Sequence, residues 1–315
     1  MGVNVSTPGI KGKGKIRLGD LIFSRAATFA GAGILITLAA VALFLFLQAL
    51  PALNPNADFD GKAENPLSYI APYIFGTLYG SLIALAIATP LAIGIALYIS
   101  HFANRRFSQL LGYVMDLLAA IPSVVYGLWG ILVLAPFLNP TYVWLNENLG
   151  WIPLFEGQVS ATGRTMLTVG IVLAIMVLPI MAALIREVFL QTPRLHEEAA
   201  LALGATRWEM IKMAVLPFGR PGIISAMMLG LGRALGETMA VALVLSPASI
   251  ISFALLTSQN SNTIAANIAL QFPESGGDYR SLLIATGLML FFITMVINLI
   301  ARYIISRRAE FSGAN

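Results

Sequence analysis

The chain has 315 residues, 58% of them hydrophobic and only 11% charged. A water-soluble domain carries roughly 25% charged residues, so this balance excludes a soluble fold. The lack of cysteine excludes disulfides, thiolate metal sites and cysteine nucleophiles, and the formal net charge of +4 reads as membrane topology rather than nucleic-acid binding.

Backbone amides in hydrocarbon must be satisfied within their own segment, so apolar runs of about 20 residues are read as helices. Six runs qualify, and the expected fold is an all-α integral membrane protein of about six transmembrane helices. The first span is Ala27–Leu50, preceded by Lys11, Lys13, Lys15, Arg17 and Arg25. Its apolar run is longer than that of a signal peptide, so it is read as an uncleaved span behind a basic cytoplasmic tail, residues 1–25. Within that tail Gly9, Gly14 and Lys15 imitate the start of a phosphate-binding loop. Ile16 stands where Ser or Thr would hold magnesium and no buried strand precedes it, so no nucleotide is expected there.

The second and third spans, Ile70–Ile99 and Leu110–Leu138, are longer than a perpendicular helix requires, with Pro90, Pro122 and Pro136 as kink points. The fourth is Thr165–Ile185, the fifth Gly222–Val244 and the sixth Ser281–Ala301. The membrane domain so defined is 26–309, followed by a short cytoplasmic tail, 310–315. Fifteen of the nineteen Lys and Arg lie in the tails and in the loops after spans two and four. Only Lys62, Arg164 and Arg280 lie on the other side, and Arg233 falls inside span five. That asymmetry places both termini in the cytoplasm. The outer segments are Pro51–Tyr69, Asn139–Arg164 and Ser246–Arg280, and in the last of these Thr263–Leu270 reads as a short interfacial or re-entrant helix.

The cytoplasmic segment 192–217 carries the most information. Thr192 is placed to cap a helix beginning at Pro193, and Gly204 to end it in the left-handed conformation. Thr206 and Glu209 then form a capping box that opens a second helix running toward Pro217. Ala199, Ala200 and Ala202 make the first helix narrow enough to enter a partner's groove. The plain alternative is a surface hairpin that only connects two spans.

Glu198-Ala199-Ala200, then Gly204 and Leu216-Pro217, resemble the EAA…G…LP signature of ABC importer permeases, with Ala214 where that family usually has Ile. The stretches Leu118–Gly130 and Gly230–Val241 resemble the PstC-type permeases of phosphate importers, and the likeness runs from the first span to the sixth. The resemblance implies a type I ABC importer permease architecture in a bacterial cytoplasmic membrane. It implies a non-catalytic subunit in which Glu198, Ala199, Ala200, Gly204, Leu216 and Pro217 dock an ATPase. It also implies three partners: a second, PstA-like permease, a PstB-like ATPase homodimer that binds the ATP and magnesium, and an extracytoplasmic PstS-like phosphate-binding protein. This chain would hold no cofactor of its own and would contact membrane lipids but no nucleic acid. Two other readings stand beside it, a permease for sulfate or molybdate and an ion-gradient-driven secondary transporter. The second has no need of a docking hairpin.

Arg233 and Glu237 lie four residues apart in span five, so they project from one helical face. An arginine at a helix centre costs about 2.5–3.5 kcal/mol on insertion scales, a cost that persists where a polar path or partner uses it. Self-neutralisation is the structural alternative, although Arg before Glu is the poorer order for such a pair. The resemblance implicates both residues in transport. A guanidinium fork holds two phosphate oxygens, and a carboxylate accepts from a P–OH but repels an oxyanion without a proton to donate. Gly232 and Gly236 have the spacing for close helix approach. Asp116 is expected to pair with Arg105 or Arg106, His101 to mark a helix end and His196 to be exposed.

Overall fold

A computed structural model describes residues 18–309. The basic tail up to residue 17, with its loop-like glycines, and the tail from 310 lie outside the described residues. The chain divides into two units, Met1–Leu47 and Gln48–Asn315. The first contains nearly all of helix α1, Leu18–Ala49, which starts nine residues before the apolar run does. Phe23, Phe29, Ile34 and Phe44 along it are exposed, as on a lipid-facing helix.

In the second unit, α2 (Pro66–Leu97) opens on Asn65, whose side chain accepts from the Ser68 amide, and closes in a π turn at Tyr98–Phe102. Among the described residues, six helices are long and apolar enough to span a membrane, as the sequence implied. The third departs from its expected bounds. Residues 105–119 form a separate amphipathic helix, α3 (Arg105–Ala119), with polar Ser108, Gln109 and Asp116 gathered on the face opposite its apolar one. The chain breaks at Ala120–Pro122, where proline cannot donate and bars the residue before it from helical geometry. The span proper is Ser123–Leu149, made of α4 (Ser123–Trp129), a π turn at Gly130–Leu134 and α5 (Ala135–Leu149). Residues 139–149, expected in the outer loop, therefore belong to the span.

Helix α6 (Met166–Leu190), capped by Thr165, is the central span. Ala84, Ala88, Ala92 and Ala96 make a fully buried stripe on α2, and small residues let membrane helices approach closely. After α6 come α7 (Arg194–Ala202) and α8 (Arg207–Met210). The second helix does not stop near Pro217. A π turn, Ile211–Val215, in which the Leu216 amide bonds to the Ile211 carbonyl, passes directly into α9 (Leu216–Leu235). Pro217 is the second residue of α9, directly after the π turn, so the missing donor and the widened turn fall at the same point of the helix. Helix α9 packs on α6 through glycines, with Gly219 over Phe189, Gly222 over Val188 and Gly230 over Met181.

Span five then breaks again. Gly236–Thr238 are not helical, and a six-residue helix, α10 (Met239–Val244), follows. The outer loop returns with a two-residue parallel pairing of Pro247–Ala248 and Asn260–Ser261, and Leu255 and Leu256 are buried beside Tyr142 and Met166. The short helix read at 263–270 is present as α11 (Ile264–Gln271), capped by Thr263, before α12 (Gly277–Ala309) completes the unit.

Candidate functional site

Two sites emerge, one on the cytoplasmic hairpin and one at the two broken spans. The hairpin turn follows from its glycine. Gly204 has φ +87°, and the amides of Gly204 and Ala205 bond to the carbonyls of Leu201 and Ala200, the paired pattern that closes a helix on a left-handed residue. The next helix opens on the expected capping box. Thr206 accepts from the Glu209 amide, and the Glu209 carboxylate accepts from the Thr206 amide at 2.7 Å. Thr192 does not cap; Pro193 occupies that position and the Thr192 hydroxyl has no hydrogen-bond partner among the described residues.

The predicted docking residues fall on different faces. Glu198, Ala199, Gly204 and Pro217 are exposed and Leu216 is half-buried. Ala200, at 7% exposure, faces inward to the core that includes Met210 and Ile211, so it seats α7 on its own chain rather than on a partner. The surface offered outward is apolar, with Leu195, Leu203, Trp208 and Met213 all exposed and Leu203 at 86%. Glu197 adds a tie that the sequence did not suggest. Its Oε1 lies 3.5 Å from Nε2 of His101, in the π turn that ends α2, and the Ser100 hydroxyl holds the other ring nitrogen at 2.6 Å. Among the described residues this is the one approach within 4 Å between a carboxylate and a basic side chain. His196 is exposed as expected.

In the membrane, the two stretches Leu118–Gly130 and Gly230–Val241 come together. Helix α4 crosses α10 so closely that a side chain on Gly127 would meet Ala240 Cα at 2.8 Å. Gly130 lies equally close to Val172 and Val244. The broken end of α3 is closed by Tyr126, whose hydroxyl donates to the Leu118 carbonyl at 2.9 Å. Arg233, in the last turn of α9, is half-buried and close enough to Tyr126 to act on it electrostatically. Among the described residues its guanidinium has no hydrogen-bond or carboxylate partner.

Glu237 is not on the same helical face, because the helix ends at Leu235. Its side chain, 8% exposed, turns to α10 and accepts from the Ala240 amide at 3.0 Å, so it caps that helix. The carboxylate's second oxygen has no protein partner among the described residues. The close approach expected at Gly232 and Gly236 is not made within this chain, since nothing lies within 4 Å of a side chain placed at Gly232. Asp116 does not pair with Arg105 or Arg106; it lines a small cavity with Gly112 and Arg186, whose Nε is buried without a partner.

Sequence reading missed Arg164. Its guanidinium donates to the carbonyls of Leu243, Val244 and Leu245 at 3.3, 3.4 and 2.8 Å, the C-terminal end of α10. The signal available was an arginine on the outer side, against the topological charge bias, one residue before the cap of α6.

Comparison with known proteins agrees with this layout. The pattern of the binding-protein-dependent transport system inner membrane component family matches residues 88–310. The phosphate transport system permease protein PstC of Mycobacterium leprae is 44% identical over 96% of this chain and 98% of its own length. PstC 2 of Mycobacterium tuberculosis is 44% identical over 91% of this chain and 92% of its own. PstC of Xylella fastidiosa (strain Temecula1) is 40% identical over 98% and 97%. Two solved structures share the fold at low identity. A chain of a bacterial ABC transporter that imports the acidic polysaccharide alginate aligns over 90% of this chain and 96% of its own, with a TM-score of 0.54 at 18% identity. A chain of the MetNI methionine ABC transporter, in an inward-facing conformation, aligns over 76% and 94%, with a TM-score of 0.51 at 14%. With its family pattern matched from residue 88 to 310 and relatives alike over almost their whole length, the chain belongs to the binding-protein-dependent transport system inner membrane components, as a PstC-type permease with the fold of ABC importer permeases.

Proposed function

We propose that this chain forms, with a second PstA-like permease, the path by which inorganic phosphate crosses a bacterial cytoplasmic membrane. A PstB-like ATPase dimer, which binds ATP and magnesium, drives the cycle, and a PstS-like extracytoplasmic protein delivers the anion. The observation that carries this reading is Arg233, a guanidinium half-buried in a span, without a hydrogen-bond or carboxylate partner among the described residues, beside two broken helices. Discontinuous spans at a membrane's interior are where transport sites form, because irregular backbone survives there only when it is buried in protein or lines a water-filled cavity. The relatives named as phosphate permeases supply the substrate class.

The chemistry follows from the side chains. The Arg233 fork takes two phosphate oxygens at once, and the free oxygen of Glu237 accepts from a P–OH while the other keeps α10 capped. Sulfate, fully ionised at neutral pH, meets that carboxylate without a proton to offer and is repelled. The ATPase seats on the exposed apolar surface around Leu203 and on Glu198, Ala199, Gly204 and Pro217. Its motion has a direct route inward: the helix opened by the Thr206 capping box runs unbroken from Arg207 to Leu235, 29 residues and roughly 40 Å, and carries Arg233 near its far end. The Glu197–His101 contact passes the same motion to α2. Labelled-phosphate uptake by the assembled complex, compared between the parent chain and Arg233→Gln, tests the proposal.

A further inference from the structure

We propose that Arg164 is a positioning residue for the transport path, latching α10 from the outer side so that Glu237 is held in register with Arg233. The inference rests on the reading of those two residues as the anion's contacts.

Helix α10 has only six residues between the break at Gly236–Thr238 and the extended residue Leu245. A helix that short cannot satisfy its own last carbonyls, and Val244 and Leu245 are buried away from water. Arg164 supplies the missing donors. Its Nη2 reaches the carbonyls of Leu243 and Leu245 at 3.3 and 2.8 Å, and its Nε that of Val244 at 3.4 Å. Among the described residues it pairs with no carboxylate, so this carbonyl cluster is its whole set of acceptors.

The base of the latch is rigid. Arg164 precedes Thr165, the cap of the central helix α6. Around it the Thr168 hydroxyl donates to the Gly163 carbonyl at 2.6 Å and shares a hydrogen bond with the Tyr142 hydroxyl at 2.8 Å. The opposite end of α10 is held by Glu237. A carboxylate at the N-terminus and a guanidinium at the C-terminus match the helix dipole at both ends. With Gly127 of α4 pressed against its flank, α10 is fixed on three sides, and two of the three holds are single charged side chains. Release of Arg164 frees the outer end of the element whose inner end carries Glu237.

This chain has no cysteine, so label read on its own separated band carries no background. Met239→Cys places a thiol on the exposed first turn of α10, to be labelled with a membrane-impermeant maleimide in the assembled, reconstituted complex. Arg164→Gln should raise the labelling rate about tenfold or more, the factor carried by one hydrogen bond from a charged donor. Arg164→Lys, a point charge able to reach one carbonyl, should fall between the two. A labelling rate within about twofold of the parent, with complex yield unchanged, would overturn the proposal. So would loss of assembly in both variants, which would make Arg164 a folding residue. The readout requires no phosphate. Faster labelling in Arg164→Gln, together with normal phosphate uptake by Arg233→Gln, would keep the latch and discard the path reading instead.

Discussion

Gly127→Ala is the mildest substitution that should disturb the meeting of the two broken spans. The new methyl would lie 2.8 Å from Ala240 Cα and 3.0 Å from Leu243 Cδ1, against an optimum of about 3.5–4.0 Å between carbons. The Leu243 side chain can rotate away, but Ala240 Cα is backbone, so α10 itself must move by about 0.7 Å. That shift displaces the donor of the 3.0 Å bond between the Ala240 amide and Glu237, so the carboxylate must follow or the bond lengthens. Overpacking of this kind costs about 1–3 kcal/mol, against which alanine returns about 1 kcal/mol in helix propensity. Gly94→Ala in α2 is the control, because nothing lies within 4 Å of its added methyl. Measured on the purified complex by thermal unfolding, Gly127→Ala should melt several degrees below Gly94→Ala, at about 2–4 °C per kcal/mol for a chain of this size. Its phosphate uptake should fall while Gly94→Ala transports normally. Equal melting and equal uptake in the two variants would refute the geometry of the α4–α10 crossing.

Further outcomes follow from the hairpin and from the charge distribution. Leu203→Glu, at the most exposed apolar position of the docking surface, should release the ATPase in a pull-down while the permease pair still forms. Gly204→Val should weaken ATPase recovery through backbone strain of about 1–2 kcal/mol, since open space surrounds the position and only its φ is demanding. Ala200→Glu should instead lower the yield of the permease itself, because that face packs on the chain's own core. A topology reporter inserted within 193–207 should read as cytoplasmic and one within 258–262 as external, and the reverse pattern would invert the bundle.

The number of spans and the hairpin's turn chemistry were legible because both are local. Twenty apolar residues, a Gly before a Thr-x-x-Glu box and a bias of Lys and Arg each act through their own segment. The breaks were not. Pro122 marked a kink, yet an apolar run reads alike whether the helix is continuous or interrupted, so α3 and the start of span three merged into one segment. No proline marks Gly236–Thr238. That break exists because Glu237 bonds to the Ala240 amide and Arg164, some 80 residues away in sequence, closes the other end. Close approach was sought at Gly232 and Gly236 from their spacing, whereas the crowded glycines are Gly127 and Gly130, whose neighbours come from α10 and α6. The three alanines of the docking helix were equivalent in sequence, and only packing against Met210 and Ile211 turns Ala200 inward.

Phosphate uptake by Arg233 variants, scored together with complex yield, tests the central claim most directly. Gln keeps roughly the length of the side chain and removes the charge, and Lys keeps the charge and removes the planar fork. The account predicts that Arg233→Gln assembles with its ATPase at parental yield and takes up no phosphate, and that Arg233→Lys assembles equally and recovers only part of the rate. Normal uptake by Arg233→Gln, or uptake lost only in step with complex yield, would contradict it.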